Sequence, residues 1–185
     1  MYKLCKTARS AKRQREIEQA LIKLMASTPY SDISVTALCE HLSMPRKTFY
    51  RYFDGKEDVL DAFMDHLLTE CDEILLANAP LRNRIEQMLL FVKRQKDLLD
   101  ILSKNALIDA FIKRACSRPI VNEEALSTLL GNEPQWARPL IVMFATAGFS
   151  ALVLDWYKED FARTTGEMTD LCCRMLGRPL FDFTA

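Results

Sequence analysis

The stretch "PRKTFYRYFDGKED", residues 45–58, decides how the rest of the chain is read. Three cations, Arg46, Lys47 and Arg51, stand among two tyrosines, Tyr50 and Tyr52. Pro45 suits the first turn of a helix, where its missing N–H costs nothing. Phe49 and Phe53 are four residues apart and so share one helical face. Arg46, Lys47, Thr48, Tyr50 and Arg51 lie toward the other side. The spacing predicts a short helix over 45–53, held inward by two phenylalanines and offering cations and hydroxyls outward. Asp54-Gly55-Lys56-Glu57 then reads as a capping box opening a long helix, with Asp54 as cap and Glu57 reaching back.

Working outward, helical periodicity continues almost everywhere, and alternating strand patterns are nearly absent. Ile17, Ala20, Leu21, Leu24 and Met25 form the stripe of a helix over 10–27. Ser34 can cap a second short helix, 34–42, with Val35, Leu38 and Leu42 inward. Ser43-Met44 makes a tight turn before Pro45. Three helices with this turn between the second and third have the spacing of a helix-turn-helix. The helix from Lys56 carries Leu60, Phe63, Met64, Leu67, Leu68, Cys71, Ile74 and Leu75 on its stripe and ends at Asn78-Ala79-Pro80. Further helices are predicted near 81–96, 97–103, 105–116, 121–130, 134–158 and 166–176. The fold class is therefore all-α, with about nine helices. The predicted domains are 1–55, a three-helix bundle, and 56–185, a larger helical domain.

Charge follows the same division. The formal net charge of the 185 residues is zero, but residues 1–56 hold 11 Lys or Arg against 5 Asp or Glu. A basic N-terminal third on an acidic remainder points to a polyanionic partner for that third alone. Arg and Lys read guanine in the major groove, and Tyr and Thr bind phosphate. Lys56, in the first turn of the long helix, can reach the sugar-phosphate backbone, whereas Tyr52 is ambiguous between packing and backbone contact. The six cysteines include no C-x-x-C and only His41 and His66 could join them, so no structural zinc and no cofactor are expected. Reduced, mostly buried thiols fit a cytoplasmic protein. The start of the chain has no apolar run, and no signal peptide is expected.

Pro139–Leu154 is sixteen residues without a charge. A membrane helix needs about 20 apolar residues, and this one contains Thr146, Gly148 and Ser150. It is expected to be a helix buried on more than one side. Ala145, Ala147, Gly148 and Ala151 permit close helix approach, and such a helix often packs against a second subunit as well as its own core.

"DISVTALCEHLSMPRKTFYRYFDGKEDVL", residues 32–60, resembles the DNA-binding core of the TetR/AcrR-type transcriptional regulators. Thr48-Phe49-Tyr50, Phe53 and Lys56-Glu57 match that pattern position by position, and the likeness covers about residues 10–70. The remainder is similar only in length, helicity and an apolar penultimate helix, although "GFSALVLDWYKEDF" is similar to the activators of dihydroxyacetone kinase operons. The resemblance implies a sequence-specific regulator that binds double-stranded DNA as a homodimer through its C-terminal helices, on an imperfect palindrome. Arg46, Lys47 and Thr48 would enter the major groove. Tyr50, Arg51 and Lys56 would clamp phosphates, and Ser34 and Thr36 would add backbone contacts. A small apolar or amphipathic effector would modulate affinity from a pocket whose candidates are Phe91, Leu102, Phe111, Met143, Phe144 and Trp156. Repression is the expected sign, with activation the alternative. Two departures stand out: Met44 precedes the recognition helix where the family often has Ser or Thr, and Lys47 stands where it often has Gly. The operator therefore does not carry over from a relative.

An enzyme would need a nucleophile–base set or a metal site, and His41 and His66 build neither. A non-specific architectural DNA-binding protein would be basic throughout, unlike this chain. No membrane contact is expected.

Overall fold

The computed structural model describes residues 7–118, 130–131 and 133–177. Among these it contains nine α-helices, one short 3-10 turn and no strand. The helices are α1 (Ala8–Met25), α2 (Val35–His41), α3 (Arg46–Phe49), α4 (Lys56–Leu75), α5 (Leu81–Arg94), α6 (Lys96–Lys104), α7 (Ile108–Ser117), α8 (Arg138–Lys158) and α9 (Thr165–Gly177). The helix predicted near 121–130 falls, but for Leu130, outside the described residues. Contacts gather the described residues into two compact units, one from 1–69 with 98–108 and the other from 70–97 with 109–185.

In the first unit, α1 starts at a reciprocal cap between Thr7 and Ser10: each backbone N–H donates to the other's side-chain oxygen at 3.2 Å. Its inner stripe buries Ile17, Ala20, Leu21 and Met25. Ser34 caps α2, its Oγ accepting from the Ala37 N–H at 3.1 Å. α1 packs on α2 and α2 on α3. Phe49 and Phe53 are fully buried, with ring centroids 5.9 Å apart. Full burial of side chains this size contributes about 1.5–3 kcal/mol each, and it fixes which side of α3 faces outward.

Three details differ from the sequence expectation. α3 is assigned over Arg46–Phe49 alone. Beyond it the bonds tighten, Arg51 N–H donating to the Thr48 carbonyl and Tyr52 N–H to that of Phe49, as in a 3-10 turn. The box at the start of α4 is shifted by one residue: the Asp54 N–H donates to the Asp58 carboxylate at 3.1 Å, not to Glu57. A 3-10 turn over Tyr30–Asp32 occupies the loop between α1 and α2.

In the second unit, α9 packs along α5, and α5 also meets α8. Trp156 is fully buried there; its Nε1–H donates to the Arg163 carbonyl at 2.9 Å and its ring meets Phe161 edge-on at 4.8 Å. The expectation that α8 is buried on more than one side is not met within one chain. Only Val153 and Trp156 of this helix are buried, while Leu140, Met143 and Phe144 are among the large exposed apolar residues. α8 is long and apolar enough to cross a membrane by length and composition.

Candidate nucleic-acid interface

The turn into the recognition segment is sharp. Ser43 takes φ 48°, in the left-handed region. The Met44 N–H then reaches back to the Cys39 carbonyl at 2.8 Å, and the Met44 side chain is buried. The chain can thus leave α2 and re-enter a helix at Pro45, which serves as the N-cap of α3 without any side-chain cap bond. The capping position is thus held by Pro45, with the buried Met44 one residue before it, and no hydroxyl caps the helix.

Arg46, Lys47, Tyr50 and Arg51 are all exposed, and Thr48 is half-buried. Arg46 and Tyr50 form a unit: Nη2 of Arg46 donates to the Tyr50 hydroxyl at 3.1 Å, and its guanidinium stands 5.8 Å from the ring centroid. The Tyr50 ring is in turn held edge-on against buried Phe49 at 5.5 Å. A long cation is thereby oriented by a ring that is oriented by the core. Ser34 and Thr36 are exposed at the start of α2, with the Ser34 oxygen already serving the cap.

Lys56 is placed differently from the other cations. Its Nζ donates to the Tyr30 carbonyl at 2.7 Å and to that of Ser31 at 3.0 Å, and it lies 4.6 Å from the Tyr30 ring centroid. The same turn is held by Asn105. Its Oδ1 accepts from the Tyr30 N–H at 2.6 Å, and its Nδ2 donates to the Ile101 carbonyl at 2.8 Å. Asn105 follows the end of α6, where Ala106 turns through φ 54° and the Leu107 N–H closes on the Leu102 carbonyl. Sequence reasoning missed Asn105 by starting a helix on it. The available signal was a Lys-Asn pair ending an apolar-periodic run, a common helix stop. Tyr30 has its phenol pushed up to about 12, first by burial and then by the charges of Glu57 and Asp61.

A second polar contact pins α1 to α4. Glu18 is buried and its Oε2 lies 2.8 Å from His66 Nδ1, with Arg15 Nη1 at 3.5 Å; its Oε1 has no partner.

The six effector-pocket candidates are not brought together within either unit. Leu102 is buried in the first unit, with α6. Phe91 and Trp156 are buried in the second, and Phe111 is half-buried there. Met143 and Phe144 are 45% and 71% exposed, so the outer face of α8 rather than an interior carries them. Five described cysteines are free, and burial pushes the Cys172 thiol up. No group of three His, Cys, Asp or Glu among the described residues could hold a metal ion.

Residues 17–63 match the sequence model of the bacterial regulatory proteins of the tetR family. A 110-residue stretch is 26% identical to the nucleoid occlusion factor SlmA of Marinobacter nauticus, covering 55% of this chain and 56% of that one. The match thus spans little more than half of that relative's length. The fold is similar to that of the dihydroxyacetone kinase operon activator DhaS, with a TM-score of 0.57 at 16% identity over 88% of this chain and 93% of that one. It is also similar to a transcriptional regulator of the TetR/AcrR family from Thermobifida fusca, with a TM-score of 0.51 at 18% identity over 92% and 100% of the two chains. The matched residues hold the buried Phe49 and Phe53, the Ser43 turn and every exposed cation of α3. Over residues 17–63, which carry this helix-turn-helix, the chain is thus similar to the bacterial regulatory proteins of the tetR family.

Proposed function

We propose that the protein is a repressor that binds an imperfect palindrome as a two-fold dimer and is released by a small effector. The observation that carries this reading is the outer surface of residues 46–51. Arg46 is pre-oriented by Tyr50, Lys47 and Arg51 are exposed beside it, and Phe49 fixes the face they share. Arg46, Lys47 and Thr48 then meet base edges in the major groove. Tyr50, Arg51, Lys56, Ser34 and Thr36 hold the backbone around them.

The outer face of α8 supports the dimer. Leu140, Met143, Phe144, Ala147, Gly148 and Ala151 are all exposed, at helical spacing. A contiguous apolar stripe of this kind marks an interaction surface, and its small residues let a second copy approach closely. Val153 and Trp156 anchor the same helix to its own unit, which favours pairing over membrane insertion. The second unit is where an apolar or amphipathic effector would bind. α7 supports this, for Ile108, Phe111 and Ile112 are only half-buried and no residue of that helix is buried.

The test is selection from a random duplex library at a stated moderate salt concentration. Recovery of a palindrome with half-sites about one helical turn apart is the expected result. Salt-sensitive binding without an enriched sequence would instead make the protein a non-specific DNA binder. A reporter carrying the recovered site across its promoter fixes the sign: transcription should fall when the protein is present, and a rise would make it an activator.

A further inference from the structure

The start of α5, in the second unit, holds a guanidinium that the fold leaves half-used. Arg84 donates from Nη1 to the Leu75 carbonyl, in the last turn of α4, at 2.8 Å. That bond satisfies one of the orphan carbonyls at a helix end. The Nε of Arg84, however, is buried with no hydrogen-bond partner. Among the described residues, no carboxylate pairs with this side chain. A buried charged donor without an acceptor lowers stability, and such donors are rare enough that each asks for a reason. Nε lies on the edge of the guanidinium away from Nη1, where its N–H runs parallel to one from Nη2. Such an edge can grip a carboxylate by two parallel bonds. The first turn of α5 contains no acidic residue. Its other cation, Arg82, is already matched to Asp170 at 2.5 Å. The helix N-terminus adds its own partial positive charge.

The last turn of α4 also receives α7. The ion pair between Asp72 and Arg118, the residue after α7, joins the two helix ends. Burial pushes the Asp72 carboxyl up although Arg118 faces it, which marks this end as dry. In such surroundings an arginine–carboxylate pair is stronger than in water. α7 brings apolar surface with it: Phe111 and Ile112 are half-buried, and no residue of that helix is buried.

We propose that Arg84 is the acid-binding residue of the effector site, and that the effector is an amphipathic monocarboxylic acid. The inference rests on the effector reading above and names the ligand class that reading leaves open. The carboxylate takes two bonds from the Nε–Nη2 edge, while Nη1 keeps the Leu75 carbonyl. The apolar part of the ligand covers Phe111 and Ile112 on α7. One unpaired cation matches one negative charge, because Arg82 and Arg118 each already face an aspartate. A phosphate monoester carries nearly two charges and would leave one of them uncompensated. A neutral or cationic apolar compound would leave Nε without an acceptor. Arg84 as a whole is half-buried, so its guanidinium is within reach of an entering group.

The experiment measures binding of hexanoate, decanoate and tetradecanoate to the full chain by calorimetry, each beside the alcohol and the amine of the same chain length. At least one acid should bind, and its alcohol and amine should bind about ten- to a hundred-fold more weakly. Arg84→Gln keeps an N–H for the Leu75 carbonyl and removes the charge. It should bind the acid no better than the alcohol, with alcohol binding unchanged. Arg84→Lys keeps the charge but lacks the fork, and its acid affinity should fall between the two. Arg82→Gln removes the neighbouring charge and should bind the acid as the unaltered protein does. The assignment is overturned by equal affinity of the unaltered protein for acid and alcohol, by full acid binding in Arg84→Gln, or by no binding of any acid. The comparison of acid with alcohol needs no variant, so it stands even if a substitution disturbs the fold. The same ligands are then added to the complex with a selected duplex. An acid that binds through Arg84 and leaves DNA affinity unchanged would sink the effector reading and keep the site. Release of DNA by the alcohol as readily as by the acid would keep the effector reading and overturn the acid site.

Discussion

Lys56 and Tyr30, 26 residues apart, are locked together: the lysine ammonium donates to the tyrosine carbonyl at 2.7 Å and stands 4.6 Å from its ring. The cation that resemblance assigns to a phosphate is, in this structure, also the clamp on the loop leading into α2. Lys56→Ala should therefore have two effects. It should lower stability by about 1–2 kcal/mol through the lost charge-assisted bonds, measured by urea unfolding. It should also weaken DNA binding by a similar factor on all sequences. Binding lost with stability unchanged would mean that the clamp contributes nothing to the fold.

The ring in that clamp titrates late. Burial, then Glu57 and Asp61, raise the Tyr30 phenol from 10.0 to about 12. A group whose folded pKa is raised contributes stability that is complete below its unfolded pKa and is lost as pH rises through the folded one. The window is thus pH 10 to about 12. The phenolate absorbance of the unaltered protein minus that of Tyr30→Phe should rise around pH 12. The variant should also show a shallower loss of stability across that window. A difference signal centred on 10 would show the ring to be solvated.

Ser43 holds φ 48° between α2 and α3. A non-glycine residue there is strained by about 1 kcal/mol. Ser43→Gly should raise stability by roughly 0.5 kcal/mol, since the larger entropy of the unfolded glycine chain offsets part of the relief. Ser43→Val should lower it by about 1–2 kcal/mol or more, because a branched side chain suits that region poorly. Chemical denaturation of both variants checks the order, and a valine variant as stable as the glycine one would contradict it.

Glu18 is buried with His66 on one oxygen and nothing on the other. Removing one partner of such a pair strands the other, at a cost of about 1–3 kcal/mol, while replacing both with apolar residues can be nearly neutral. His66→Ala should therefore destabilise the protein more than the double variant Glu18→Leu, His66→Leu. The reverse order in a double-mutant cycle would show that the pair, not its burial, dominates.

The sequence was most informative where a side chain's neighbour lies one helical turn away. Phe49 and Phe53, the Ser34 cap and the stripe of α1 were all readable from spacing. It was least informative where the neighbour is distant. Nothing near Lys56 tells that the carbonyls of residues 30 and 31 lie within its reach. No proline or glycine stands between Phe49 and Asp54, so the tightening after α3 carries no local signal. Asp58 displaced Glu57 at the start of α4 because both carboxylates are near enough to cap, and only the path of the chain chooses. Nor does the sequence tell that Met143 and Phe144 are exposed on α8, because an apolar residue looks the same in sequence whether it is buried or exposed.

The placement of residues 98–108 bears on how such regulators can be recombined. These residues lie beyond the boundary at residue 55 expected from the sequence, yet they belong with residues 1–69. Through Asn105 they hold the turn that precedes α2. The head is therefore not a portable cassette. A chimera that joins residues 1–69 to a foreign C-terminal half would inherit the recognition segment and lose the strut beneath its scaffold. Transplanting residues 1–108 as one piece would keep both.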